Sequence, residues 1–190
     1  MPIQRLIPDE CALLVVDVQD RLIGTIHEHE LLVRRVAALV RGCSLLNIPI
    51  LATEQYSRGL GHTVAPIASA FPTGTPVFEK SRFSALTDSV SKQISQWRRR
   101  TLLVCGIEAH VCVLQTVLDA CASGVQTFHV TDAVSAGQPD QIEPSFARMS
   151  RAGSIPTGAV SALYELMGSC EHPSFKSMLP FAKSIIGPQA

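Results

Sequence analysis

Net charge is the first thing this sequence lacks. Sixteen acidic residues cancel sixteen basic ones, so no broad field of one sign exists to attract a polyanion or an anionic membrane, and small neutral partners remain open. A C-x-x-C pair is also missing. The six cysteines, Cys11, Cys43, Cys105, Cys112, Cys121 and Cys170, fall mostly inside apolar runs, where thiols behave as small core residues. That usage favours a reducing compartment without disulfides. No apolar run approaches a membrane span, and the opening MPIQRLIPDE has neither a signal-peptide apolar core nor an Arg/Ser-rich transit pattern. The cytoplasm is the expected location, with the mitochondrion as alternative. Repeats and low-complexity tracts are absent, and composition does not break along the 190 residues, so one domain over 1–190 is expected.

What is present is an alternation of short apolar runs with helical periodicity. Cys11 to Val16 reads as a strand buried on both faces and stops at Asp17. Leu31 to Leu46 carries apolar residues at helical spacing, and Asn47 and Pro49 end it before a strand over Ile50 to Thr53. After Glu54 comes a glycine-containing loop, SRGLGHT, then a short helix near Ala65 to Ala70 and a strand around Thr75 to Phe78. Lys80 follows it. A helix over Thr87 to Arg99 precedes the strand Thr101 to Cys105, a turn at Gly106 and a helix that Gly124 stops. Gln126 to Val130 is the fifth strand, Asp140 to Ala152 a helix and Gly153 to Thr157 a short last strand. A helix over Ala159 to Met167 and an apolar tail over Phe175 to Ile186 complete the chain. The order predicts a three-layer α/β/α fold with a mostly parallel, doubly wound sheet of about six strands.

In such sheets ligands bind outside the carboxyl ends of the strands. Asp17, Glu54, Lys80, Cys112 and Asp132 all fall there, so position alone leaves five candidates. Cys112 is the first nucleophile candidate, because a thiol in the first turn of a helix faces unsatisfied N–H groups that favour the thiolate. Singly, Cys112 reads as a core cysteine, Asp17 as a turn residue and Lys80 as a solvated lysine. Their joint placement changes the weighing, since a cysteine nucleophile needs a group to take its proton and a charge to steady it. Gln19 and Phe83, near Asp17 and Lys80 in sequence, are possible substrate contacts. His110 is a third, although it more simply lines the turn. His62 has no paired ligand nearby and reads as part of its loop. The cations from Arg98 to Arg100 complement the dipole of the helix they end.

The segments VVDVQ around Asp17, EKSRFSA around Lys80 and CGIEAHVCV leading to Cys112 resemble the three signature segments of the isochorismatase-like cysteine hydrolases, in order and placement. TEQYSRGLGHTV and GIEAHVCVLQTVLDA are similar to the isochorismatase domain-containing subgroup. The resemblance implies Asp17 as general base, Lys80 as its charged partner and Cys112 as the attacking thiolate. It further implies a cis peptide between Ile107 and Glu108, with the backbone N–H groups of Glu108 and Cys112 as an oxyanion hole. The implied reaction is hydrolysis of an amide through a thioester. Isochorismatase itself cleaves a vinyl ether without cysteine chemistry, so the presence of Cys112 points to an amidase. Nicotinamidases of the superfamily hold a metal on a D-x-H segment. This chain reads TEQYS there, so neither a metal nor another cofactor is expected. Homo-oligomerisation is implied, as is a small-molecule substrate. Two other functions stay open: a ribonuclease or RNA-associated protein, a label some of the close subgroup carry, and a silent binding module of the same fold. The neutral charge balance makes a nucleic-acid partner unlikely in physical terms.

Overall fold

The structure is a computed structural model and describes residues 3–186. Its centre is strand β1, Cys11–Val16, every residue of which is buried. Alternate side chains serve two cores: Cys11, Leu13 and Val15 belong to one, Ala12, Leu14 and Val16 to the other, as the two-residue period of a strand covered on both faces requires. A short helix α1, Asp20–Ile23, and a long one, α2, His29–Leu45, lead to β2, Ile50–Gln55. Two single-turn helices, α3 (Ser57–Leu60) and α4 (Ala65–Ala68), precede β3, Val77–Lys80. Then come α5 (Asp88–Gln96), β4 (Thr101–Gly106), a π-helical turn over Ala109–Val113, and α6 (Leu114–Ala122). The chain closes with β5 (Gln126–Val134), α7 (Ile142–Arg151), β6 (Ile155–Thr157), α8 (Ala159–Met167) and α9 (Phe175–Ile186).

The six strands pair in the order β3-β2-β1-β4-β5-β6, every pair parallel. Helices α2, α8 and α9 cover one face, and α5, α6 and α7 the other. The expected doubly wound sheet is therefore present and wholly parallel. Strand order reverses between β1 and β4, so the crevice of the switch point opens between their carboxyl ends. Asp17 directly follows β1, and Cys112 lies in the turn that follows β4.

Several boundaries differ from those expected. β3 runs through Lys80 rather than stopping at Phe78, and Lys80 pairs in register with Gln55. β2 continues through Glu54 to Gln55, and β5 extends to Val134 past a register shift opposite Val104 and Gly106. The glycine-containing loop holds α3. The apolar tail is an amphipathic helix whose Met178 and Ile185 enter the core beside α2 and α8. Among the described residues no helix is long and apolar enough to cross a membrane. All six cysteines are free.

Candidate active site

Asp17 has a left-handed backbone, φ 52°, a conformation that aspartate tolerates better than most residues. The kink turns its carboxylate sideways across the end of β2. There Oδ1 accepts a hydrogen bond from the Thr53 hydroxyl at 2.7 Å, and Oδ2 meets Lys80 Nζ at 2.6 Å. Oδ2 has no other hydrogen-bond partner among the described residues. Both charged side chains are essentially inaccessible, at 0% for Lys80 and 1% for Asp17.

Lys80 starts two strands away from Asp17. With strands about 4.8 Å apart, only a long side chain can span that distance. Its ammonium also donates to Gln55 Oε1 at 2.7 Å and to the carbonyl of Phe83 at 2.9 Å, with that of Arg82 at 3.2 Å. A buried ion is tolerated when its remaining hydrogens are satisfied in this way.

The strand β4 ends at Gly106, φ +119°, where a Cβ would lie 2.1 Å from the Val16 carbonyl oxygen. Only glycine fits. This close approach lets the Ile107 N–H bond Val16 O at 2.9 Å, pinning the following turn to the residue before Asp17. The Ile107–Glu108 peptide is cis. Ala109 N–H bonds Ser135 O at 2.9 Å, whereas the Glu108 N–H donates to no carbonyl among the described residues. The Cys112 carbonyl accepts from the Thr116 hydroxyl at 2.6 Å, and that hydroxyl accepts from Ala85 N–H at 2.7 Å. One threonine thus ties the cysteine turn to the segment after Lys80.

Asp17, Lys80 and Cys112 come together, but the thiol does not rest as the sequence position suggests. Burial pushes its pKa up to about 12, the Asp17 carboxylate adds to the rise, and Lys80 opposes it. Desolvation outweighs the helix end because Cys112 is 8% exposed and sits in the π-helical turn ahead of α6. The resting group is a thiol beside the Asp17 carboxylate.

The three residues lie at a cavity of about 140 Å³ that Asp17 and Cys112 line directly, on the order of the volume that holds one benzene ring. Leu22, Leu60, Phe83, Ile107 and Val111 supply apolar walls, and Gln55 and Glu108 supply polar edges. Phe83 thus borders the cavity. Gln19 does not: it is fully buried, its Nε2 donating to Gln55 O and Gly61 O at 3.0 and 2.7 Å while Oε1 accepts from Gln55 N–H at 2.7 Å. Its amide clips the end of β2 to the loop after α3. His110 is also outside the cavity lining, and its buried Nδ1 has no partner among the described residues.

Glu54 and Asp132 serve the scaffold. Glu54 accepts from Thr63 N–H and the Thr63 hydroxyl at 2.7 and 2.9 Å and pairs with His62 Nδ1 at 2.8 Å. Asp132 Oδ1 accepts from Ala159 N–H at 2.7 Å, capping α8. Among the described residues no three His, Cys, Asp or Glu side chains are grouped to hold a metal. Thr53, Gln55, Thr116 and Leu60 were not singled out from sequence. Only Gln55 carried a signal, its place at the end of an apolar run beside the Lys80 strand.

A family model of the isochorismatase domain matches residues 11–160. The chain is similar to the secreted isochorismatase effector Isc1 of Phytophthora sojae, 34% identical with 94% of this chain and 87% of that protein covered. It is similar to isochorismatase domain-containing protein 2 of Macaca fascicularis, 32% identical with 94% and 86% covered. Among solved structures, MAR1 ribonuclease of Caenorhabditis elegans superposes with a TM-score of 0.91 at 31% identity, covering 98% of this chain and 99% of that one.

Proposed function

The chain belongs to the isochorismatase family, and from that hydrolase scaffold we propose that it cleaves the C–N bond of a small amide through a thioester on Cys112. The observation that carries this is the inaccessible Asp17–Lys80 pair, 2.6 Å apart, beside the thiol at the base of a cavity. Cys112 Sγ attacks the carbonyl carbon and its proton passes to Asp17. The carbonyl π pair moves to oxygen, where the backbone N–H groups of Glu108 and Cys112 are the proposed donors. Collapse expels the amine, which takes the proton from Asp17. Water then adds to the thioester with Asp17 as base, the carboxylic acid leaves, and the proton returns to sulfur. Lys80 acts by charge: its hydrogens are already engaged, so it stands as the ion-pair partner of Asp17 rather than touching substrate.

A panel of small primary amides assayed for ammonia release checks this. Turnover is expected to vanish in Cys112→Ala and to fall at least 100-fold in Asp17→Asn. Retention of wild-type rates by Cys112→Ala would sink the proposal.

The name of the Caenorhabditis elegans neighbour gives a second reading, a ribonuclease. The structure favours it little. Arg100 is paired with Glu10 and Arg99 donates to the Pro8 carbonyl, so two of the three clustered arginines are tied to the N-terminal segment. RNA cleavage that tracks the wild-type protein through purification and disappears in Cys112→Ala would establish that reading instead.

A further inference from the structure

The cavity beside Cys112 is bordered by charge of one sign. Asp17 and Glu108 reach it, and among the described residues no lysine, arginine or histidine lines it. Asp17 is neutralised by Lys80. Glu108 is not: among the described residues it has no ion pair, and its Oε2 accepts the Gly137 N–H at 2.8 Å. Three of the cations near the lining residues in the chain have other partners, and Arg58, two residues before Leu60, is exposed and does not line the cavity. Arg82 pairs with Asp119 at 2.8 Å, Arg21 donates to Gly59 O at 2.8 Å, and Lys80 spends its hydrogens on Asp17, Gln55 and Phe83. The site therefore carries one uncompensated negative charge against walls of Leu22, Leu60, Phe83 and Val111.

We propose that this site admits only uncharged acyl groups and rejects any that bear a carboxylate, with Glu108 as the discriminating residue. The substrate class is a neutral amide whose acyl part is apolar and no bulkier than about a benzene ring. A carboxylate entering here would lose its water without gaining a cation, and would approach a like charge. Rejection of the wrong ligand by an unpaired charge is a recognised route to specificity. The apolar walls favour the neutral acyl chain by ordinary burial. This proposal rests on Cys112 being a reachable nucleophile.

Iodoacetamide and iodoacetate, a neutral and an anionic alkylating agent of nearly the same shape, test it without knowledge of the substrate. Exposed Cys170 provides the internal reference, with both sites followed by peptide mass spectrometry. The ratio of iodoacetate to iodoacetamide rates is expected to be at least tenfold lower at Cys112 than at Cys170. In Glu108→Gln, whose amide oxygen still accepts from Gly137, that ratio at Cys112 should rise severalfold while Cys170 is unaffected. Equal ratios at the two cysteines of the wild-type protein overturn the proposal, as does an unchanged Cys112 ratio in Glu108→Gln. If neither reagent modifies Cys112 even at pH 10 while Cys170 reacts, the nucleophile reading itself fails, a result distinct from loss of charge selection.

Discussion

At the scale of single residues, the site is organised around a proton that has not yet moved. Burial lifts the Cys112 thiol to about 12, so in the proposed reaction the thiolate forms only as the carbonyl is attacked and Asp17 receives the proton. Alkylation of Cys112 by iodoacetamide should accordingly keep rising from pH 7 to pH 10 with no plateau. A plateau below pH 9 would show a thiolate already stabilised at rest. Gln55 is the other residue of consequence, since its Oε1 holds Lys80 Nζ at 2.7 Å. Gln55→Leu should cost about 1.5–3 kcal/mol of stability, the worth of a hydrogen bond to a charged group, and should lower kcat more than it changes KM. Denaturant titration and steady-state kinetics check the two halves. Asp17, Lys80 and Cys112 were legible as candidates from their places after apolar runs. The resting protonation of Cys112 was not, because it depends on how deeply the turn is buried. Nor was the withdrawal of Gln19 into backbone hydrogen bonds, which required the loop after α3 to fold over it.

At the scale of elements, three strand ends share one device, a backbone with positive φ. Asp17 follows β1 at 52°, Tyr56 follows β2 at 41°, and Gly106 ends β4 at 119°. Each turns the chain off the sheet, and the first and third bring the carboxylate and the cysteine turn together over the switch point. Gly106→Ala places a Cβ against the Val16 carbonyl oxygen, a backbone atom with no freedom to yield. It should destabilise the protein by about 3 kcal/mol or more and abolish Cys112 labelling at a temperature where the variant is still folded. Normal labelling in a folded Gly106→Ala would show that the turn is positioned by something else. The helices and most of the strands were readable from periodicity, which reports burial. β3 was misplaced because Val77 and Glu79 are exposed on an edge strand, so its pattern resembles a loop. The π-helical turn left no periodic trace: five residues are too few to distinguish it from the first turn of α6.

At the scale of the whole molecule, one buried histidine makes stability depend on pH. His129 is fully buried in β5, with Nδ1 on the Ser154 hydroxyl at 2.9 Å and its ring 5.4 Å from that of Phe146. Burial lowers its pKa from the ordinary 6.5 to about 4. Between those values the unfolded chain binds a proton that the folded one refuses, so this stability is full above pH 6.5 and is lost as pH falls toward 4. A shift of this size amounts to about 3 kcal/mol. Thermal melts should show the loss in the wild-type protein and a flatter profile in His129→Gln. Equal pH profiles would remove His129 from the account. The doubly wound architecture itself was legible, because strand-like runs alternating with helical segments leave few parallel topologies. The destination of the C-terminal tail was not, since an amphipathic stretch says which face is buried and not against what. In the structure α9 spends its apolar face within the chain, on α2 and α8.

The proposed chemistry stands or falls on covalent acylation of Cys112 with Asp17 as the proton acceptor. Acid-quenched mass spectrometry during turnover of a small neutral amide tests it most directly. An acyl mass is expected on the peptide carrying Cys112, released by hydroxylamine and never formed in Cys112→Ala. Steady turnover with no acyl mass on any residue, persisting in Cys112→Ala, would contradict it.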